Sequence, residues 1–286
     1  MFSTLQMGHQ LDFKWKNELL LSYQYPSDGH RSFWHPLRLP DSPPLTANQP
    51  SDHVHHQGMW LAWKKVNDVN FWEEPTPNSD PTGFGRVLQQ LICPYVAVAH
   101  SGFTAKNLWV DWQNKSHLVE RRTMKIYPPT DSYLLIDIDF DLEALEEPVV
   151  LDLQRGEPGQ GGCFYSGLTV RFDNRLIPAQ LLDANGRTEV DQIFGQSSHW
   201  CGWAGIHSDD GKTYGITIID RPRNPNYPAP WWVRNGHNYG LLHPSPTYYQ
   251  PLHLAATESI SLSYRVVVHR GQVSANLINH LATMNL

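Results

Sequence analysis

The stretch that decides the fold runs from residue 118 to residue 142 and reads LVERRTMKIYPPTDSYLLIDIDFDL. Apolar and polar side chains alternate in it with a period of two, as in Ile136, Ile138 and Phe140 set against Asp137 and Asp139. This period is typical of strands with one buried face. Parallel strands need a crossover of a dozen residues or more, and the Pro-Pro-Thr-Asp-Ser connection is too short for one. The stretch therefore predicts two antiparallel strands.

The same alternation recurs along the chain and predicts an all-β fold. Further segments with this pattern are 19–25, 108–112, 149–153, 163–172, 214–219 and 259–269. Several follow one another across short polar interruptions, which favours an antiparallel β-sandwich. The remaining chain reads mainly as long loops, at 39–58, 73–86, 154–162 and 220–248. Loops of this length in a folded domain are usually functional or disordered, and their many aromatic residues argue against disorder.

Helical patterning is confined to the C-terminus. From residue 272 to residue 286, four apolar side chains fall on one helical face: Val273, Leu277, Ile278 and Leu281. We therefore expect one C-terminal helix with this face buried.

Size and charge narrow the class of protein. The 286 residues suit one large β domain spanning 1–286. A net charge of −6 with scattered basic residues argues against nucleic acid as a partner. The three cysteines form no metal-type spacing, no apolar stretch is long enough for a membrane span, and no secretion signal is visible. These features predict a cytoplasmic protein, while homo-oligomerisation stays open.

A histidine block at residues 52–60, DHVHHQGMW, is the strongest candidate for a functional site. On an extended strand His53 and His55 point to the same side and could share a divalent metal ion, with Asp52 as a third ligand or an orienting group. His35, His237 or His243 could complete such a site. Without metal, His53, His55 and His56 could act as general acid or base near neutral pH. The alternative is that all three bond loop backbone and serve structure alone.

A second candidate segment lies between residues 220 and 240. Its prolines stiffen the chain, and its arginines, amides and indoles suit a polyhydroxylated ligand. We expect Trp231 or Trp232 to stack on a sugar ring and other side chains to bind ligand oxygens. The expected oxygen-binding residues are Gln57, Arg171, Asn224, Arg234, His237 and Tyr239. The alternative is a proline-rich loop that caps one end of the sandwich. Motifs of serine hydrolases, zincins, phosphate loops and dinucleotide-binding folds do not occur.

Several blocks together resemble the bacterial family known as methane oxygenase PmoA-like. The resemblance covers nearly the whole chain, and its blocks include FWHPLRLPD (33–41), PSDHVHHQGMW (50–60), WWVRNGHNYGL (231–241) and LSYRVVVHRG (262–271). It implies a β-supersandwich related to galactose mutarotase and other carbohydrate-active domains. Two positions depart from the family pattern: Gln57 stands where many relatives have Arg, and Arg221 where relatives often have His.

The sequence and the resemblance together predict a carbohydrate-active enzyme with a small-molecule carbohydrate as its partner. It would act on a sugar or glycoside, including a 3-keto derivative, by histidine acid/base or metal-assisted elimination or hydrolysis. Two other classes stay open. One is a carbohydrate-binding β domain without catalysis, and the other is a metal-dependent oxygenase with a two-histidine, one-carboxylate site.

Overall fold

The computed structural model describes residues 1–27, 29–155, 162–176, 179–236 and 239–284, and its regular structure is mainly β. The strands are β1 (Phe2–Met7), β2 (Gln10–Trp15), β3 (Glu18–Gln24), β4 (Phe33–Leu37), β5 (Met59–Trp63), β6 (Lys65–Val66), β7 (Gly85–Val96), β8 (Ser101–Asp111), β9 (Ser116–Ile126), β10 (Tyr133–Ala144), β11 (Val149–Asp152), β12 (Ser166–Arg171), β13 (Ala179–Asp183), β14 (Trp200–Ile206), β15 (Thr213–Asp220), β16 (Trp231–Gly236), β17 (Tyr239–Pro244), β18 (Leu252–Leu254) and β19 (Ser259–Arg270). The helices are α1 (Val190–Ile193) and α2 (Ala275–Thr283), with 3-10 turns at Pro81–Gly83 and Asn174–Leu176.

Two eight-stranded sheets form the two layers of the molecule. The first sheet has the order β1-β2-β3-β4-β5-β12-β17-β16, and the second has the order β13-β14-β15-β19-β10-β9-β8-β7. A small sheet of three strands, β18-β11-β6, accompanies them. Within the described ranges, every pair of neighbouring strands is antiparallel. The predicted all-β antiparallel fold is confirmed.

The stretch at 118–142 forms a hairpin near the middle of the second sheet. Strand β10 pairs with β9, with Phe140 opposite Arg122, and on its other side with β19, with Ile138 opposite Tyr264. Ile138 and Phe140 are fully buried, whereas Asp139 between them is exposed. The period of two therefore identified the buried face correctly.

Aromatic side chains join the two layers. Tyr23 of the first sheet stacks on Phe103 of the second with ring centroids 4.4 Å apart. Phe172, directly after β12, stacks on Trp203 at 3.8 Å. Such contacts combine large apolar burial with favourable ring geometry. They hold the sheets face to face as a sandwich.

Helix α2 covers part of the outer face of the second sheet. Its buried residues Ile278 and Leu281 belong to a cluster that includes Leu135 and Val267 of the sheet. The Arg265 guanidinium donates hydrogen bonds to the last carbonyls of the helix, at 2.6 Å to Leu281 O. The predicted C-terminal helix is confirmed, although it is shorter than the pattern at 272–286 indicated.

The first sheet is also covered on its outer face, by the segments around residues 39–58 and 64–84. All five residues of β5 are buried. Met59, Leu61 and Trp63 belong to the core between the sheets, whereas Trp60 and Ala62 belong to a separate cluster on the other face. Strands buried on both faces show no alternation. For this reason the prediction of a loop at 220–248 was wrong: the segment contains β16 and β17, whose Trp-Trp-Val start carries no period of two.

We expect Phe140→Ala to lower the free energy of unfolding by about 3–5 kcal/mol, because it leaves a cavity between the two sheets. Phe140 is fully buried and lies edge-on to Trp34 of the first sheet, at 6.3 Å. Urea denaturation followed by fluorescence measures this loss. The control is Asp139→Ala on the same strand, where a change within about 0.5 kcal/mol is expected. Equal effects of the two changes would contradict the assignment of the inner face.

Candidate functional site

The histidine block folds as two consecutive turns and not as an extended strand. His53 N donates to Pro50 O at 3.0 Å, and His56 N donates to His53 O at 2.9 Å. These turns lie within a loop whose two sides are bonded, since Gly58 N donates to Ala47 O at 2.7 Å. The expectation that His53 and His55 point to the same side of an extended strand was wrong. The turns instead bring together His53 and His56, three positions apart.

Gly58 lets this loop close against the first sheet. Its φ is +65°, and a Cβ there would lie 2.2 Å from Trp34 O. Only glycine fits both the left-handed conformation and this close approach. The carbonyl of Gly58 accepts a hydrogen bond from Arg171 N at 2.8 Å, which anchors the end of the block to β12.

The three predicted imidazoles lie together with the ring of Tyr239. His53 and His56 stack with centroids 4.7 Å apart and planes 11° apart. His55 stands edge-on to His56 at 4.6 Å. Tyr239 lies 4.8 Å from His53. The block at 52–60 and strand β17 thus contribute to one cluster of rings on the outer face of the first sheet.

A buried arginine orients this cluster through Asp52. Arg171 is fully buried, and its Nη2 donates to both carboxylate oxygens of Asp52, at 3.0 and 2.9 Å. Asp52 Oδ2 also lies 2.9 Å from His53 Nδ1. A carboxylate held by a guanidinium is ionised and accepts a proton, so His53 Nδ1 is the donor of this bond. His53 Nε2 is then the basic nitrogen of the ring.

The electrostatics of the cluster keep two of its imidazoles neutral at pH 7. Burial, together with the positive charge of Arg31, lowers the pKa of His55 to about 4. Burial and the neighbouring histidines lower the pKa of His56 well below its usual range. The pKa of Asp52 is also lowered: partial burial opposes ionisation, but the bonds from His53 and Arg171 outweigh it. His56 Nδ1 is buried without a hydrogen-bond partner among the described residues.

Aromatic rings continue the site along the outer face of the sheet. Trp232 stacks on His243 at 5.3 Å, and Trp72 stacks on Tyr165 at 4.8 Å. The exposed Arg234 lies over Trp232, with its Cζ 5.1 Å from the ring centroid. Tyr165, like Tyr239, is only half-buried. Among the described side chains of this face, Tyr165, Tyr239 and Arg234 are exposed enough to meet a ligand.

A charged pair that the sequence did not reveal borders the cluster. Lys64 Nζ donates to Glu73 Oε2, and Asn70 Nδ2 donates to the same oxygen at 2.6 Å. The charge of Glu73 acts on both His55 and Tyr165. Lys64 N donates to Tyr165 O at 3.0 Å. This bond to the residue just before β12 holds the charged pair beside the site. No spacing in the sequence signals that contact.

The donor set does not fit a metal ion held by His53 and His55. Across the described ranges, no three His, Cys, Asp or Glu side chains converge as metal ligands would. His35 Nδ1 lies 3.0 Å from Thr46 Oγ1. His243 is fully buried against Trp232, and burial lowers its pKa to about 3. Neither of these histidines completes a site of the kind expected.

Two residues predicted to bind substrate lie elsewhere. Asn224 is bonded on both sides of its amide, since Nδ2 donates to Asp220 Oδ1 at 2.6 Å and Oδ1 accepts from Ser263 N at 2.6 Å. Trp231 is buried in the core between the sheets, and its Nε1 donates to Ser198 O at 2.8 Å. The hydrogen-bonding groups of the amide are already used and the indole is enclosed, so neither side chain is placed to contact a ligand in this structure.

Gln57 and Arg171, also predicted to bind substrate, lie close to the histidines. Gln57 is buried within the loop that carries them, and its Oε1 finds no partner among the described residues. Arg171 acts through Asp52. His237 lies outside the described residues.

Residues 10–283 match DUF6807, a family of unknown function. The chain belongs to this family. This match gives no support to the expected resemblance to the methane oxygenase PmoA-like family. No curated protein matches the chain. In the described part of this DUF6807 member, no helix has the length and hydrophobicity needed to cross a membrane.

Three solved structures are similar to the chain at low identity. An α-galactosidase from Lactobacillus brevis matches with 11% identity and a TM-score of 0.43, covering 97% of this chain and 40% of its own. A TPR-domain containing protein from Parabacteroides distasonis matches with 10% identity and a TM-score of 0.31, and the match covers 100% of this chain and 48% of that protein. A galactose mutarotase related enzyme from Lactobacillus acidophilus matches with 9% identity and a TM-score of 0.26, and the match covers 94% of this chain and 97% of that protein. The chain spans less than half of the first two. A galactose mutarotase related enzyme, expected from the sequence, is thus among the similar structures.

We expect His56→Gln to reduce the loss of stability at acid pH. Below its ordinary pKa of about 6.5, His56 takes up a proton in the unfolded chain but not in the folded protein, so the free energy of unfolding falls as the pH drops. Removing this histidine should flatten the slope between pH 4 and 6 by up to about 1.4 kcal/mol per pH unit. Urea denaturation across this range measures the slope. The exposed His253→Gln is the control, and equal slopes for both variants would contradict the neutral state of His56.

Proposed function

We propose that this protein is a carbohydrate-active enzyme that uses His53 as a general base on a sugar or glycoside. The observation that carries the proposal is the chain of contacts from the buried Arg171 through Asp52 to His53, which ends at a partly exposed imidazole. A general base near neutral pH needs a fixed tautomer and access to the reacting proton. Asp52 supplies the first condition and the 38% exposure of the His53 side chain supplies the second.

The orientation of His53 is set from three sides. Asp52 holds Nδ1, while His56 and Tyr239 pack against the ring at 4.7 and 4.8 Å. Because His56 is neutral, it does not repel the imidazolium that forms when His53 takes a proton. The Asp52 carboxylate stabilises that imidazolium directly. The arrangement is therefore suited to repeated proton transfer at Nε2.

The surface beside His53 suits a sugar ring. Sugars combine an apolar C–H face with polar hydroxyl groups, and half-buried tyrosines offer both a ring and a hydroxyl. Tyr165 and Tyr239 are of this kind, and burial raises the pKa of both hydroxyls, so they remain hydrogen-bond donors. Arg234 adds donors for ring oxygens. Since Trp232 is almost fully buried, the stacking role expected of it passes to the tyrosines.

The reaction that best fits one oriented base is elimination on a 3-keto glycoside. His53 Nε2 would remove the proton from the carbon between the ketone and the anomeric carbon. The C–H electron pair then forms a C=C bond, the anomeric C–O bond breaks with its electrons on oxygen, and that oxygen takes up a proton. A neighbouring tyrosine hydroxyl would stabilise the developing enolate by hydrogen bonding. Hydrolysis with His53 activating a water molecule is the second reaction open to the same base.

We expect His53→Gln to lower turnover by about 10²–10⁴-fold, because the base is lost while the loop is retained. The assay incubates the protein with methyl and p-nitrophenyl glucosides and galactosides and with their 3-keto derivatives, and quantifies products by mass spectrometry. His253→Gln, at an exposed position outside the site, is the matched control and should keep the wild-type rate. Full turnover by His53→Gln would sink the proposal.

We expect Asp52→Asn to lower turnover as well, because an amide no longer fixes Nδ1–H of His53 or stabilises its protonated form. The same assay measures kcat and KM separately, and the loss should fall mainly on kcat. A protein that binds these sugars in calorimetry but converts none of them would instead be a carbohydrate-binding domain without catalysis.

A further inference from the structure

A cavity of about 480 Å³ opens beside His55, in a part of the molecule that the proposed chemistry does not use. Its volume lies within the range of about 300–1,000 Å³ typical of small-molecule sites. The walls come from the turn of the histidine block and from the segment between β6 and β7. The cavity is therefore built by the same two covering segments that bury the outer face of the first sheet.

One wall of this cavity is apolar. Val54, Pro75, Pro77 and Phe84 contribute to it. Val54 is 62% exposed although it stands between the histidines of the block. An exposed aliphatic side chain beside two prolines and a phenylalanine offers a surface against which the C–H face of a ring can pack.

Other residues that line the cavity are polar, and some of them are fixed in place. Asn70 Oδ1 accepts from Trp72 N at 2.8 Å, and Asn70 Nδ2 donates to Glu73 Oε2 at 2.6 Å. Lys64 Nζ donates to the same carboxylate oxygen. No hydrogen bond from the described residues reaches Glu73 Oε1. A carboxylate held on one oxygen by two donors presents the other oxygen to a ligand hydroxyl.

The cavity adjoins the histidine cluster at His55. His55 lines the cavity, and its ring lies 4.6 Å from that of His56 and 5.7 Å from that of His53. Its imidazole makes no hydrogen bond within the described ranges. A ligand that reaches from His53 past His55 would thus enter the cavity without displacing an existing polar contact of this ring.

We propose that this cavity holds a second sugar ring, so that the substrate is at least a disaccharide whose linkage lies near His53 and His55. The proposal rests on the carbohydrate function proposed above and adds the size of the substrate. A cavity that combines apolar side chains with a fixed carboxylate and ammonium matches a pyranose, which has a C–H face and a hydroxyl edge. A purely aromatic group would offer no hydrogen-bond donor to Glu73 Oε1.

Isothermal calorimetry tests this with glucose and galactose as monosaccharides and with cellobiose, maltose, lactose and melibiose as disaccharides. At least one disaccharide should bind about tenfold more tightly than its component monosaccharides. Thr76→Trp fills the cavity from a position on its wall and should abolish that ratio. Thr104→Trp, the same change at an exposed position on β8, is the matched control and should retain it. Val54→Trp fills the cavity from a second lining position. It replaces Thr76→Trp if that variant does not fold.

Each outcome separates this inference from the function on which it rests. Monosaccharides that bind as tightly as every disaccharide overturn the second-ring proposal and leave the histidine chemistry intact. A disaccharide preference that survives Thr76→Trp and Val54→Trp also overturns it, because the second ring would then lie elsewhere. Absence of binding by all six sugars also overturns the second-ring proposal, while the turnover assay with glycosides and their 3-keto derivatives decides the carbohydrate function separately.

Discussion

The ion pair between Arg171 and Asp52 is the contact on which the candidate site depends. A buried guanidinium without a partner would cost several kcal/mol, so the fold must bring a carboxylate to it. Asp52 meets this need from a covering loop, while Tyr239 lies over the same guanidinium with its centroid 4.4 Å from Cζ. The pair fixes the loop on strand β12. His53 is oriented as a consequence, since its Nδ1 bonds the same carboxylate.

A second buried arginine shows why access decides the role of such a pair. Arg122 lies within the sandwich, where Nε donates to Glu120 at 2.6 Å and Nη1 to Ser32 at 2.9 Å. Glu120 is fully buried and also accepts from Trp109 Nε1 at 2.8 Å. Every partner is enclosed, so this network joins the layers and meets no ligand. Asp52 keeps 35% of its side chain exposed, so this pair extends to the surface, where Asp52 also orients His53.

The contacts from Arg171 through Asp52 to His53 depend on the first sheet, because both of its faces are covered. Its inner face packs on the second sheet, and its outer face carries a separate aromatic cluster that includes Trp60, Trp72 and Trp232. The covering segments hold the histidine block on one side and the Lys64–Glu73 pair on the other. Burial by these segments lowers the histidine pKa values and also forms the cavity beside His55. The segments that cover the outer face of the first sheet therefore also carry the candidate site.

The sequence by itself determined many of the strands and the C-terminal helix, and it predicted the histidine block as a candidate site. These features are local, because a period of two or of 3.6 is written in neighbouring residues. Tertiary structure alone decided β5 and the start of β16, where burial on two sides erases the alternation. It also decided the partner of Asp52, which lies 119 residues away, and the approach of Glu73 to His55. Contacts of that range depend on which strands become neighbours in the sheet, and residue spacing along the chain does not encode that choice.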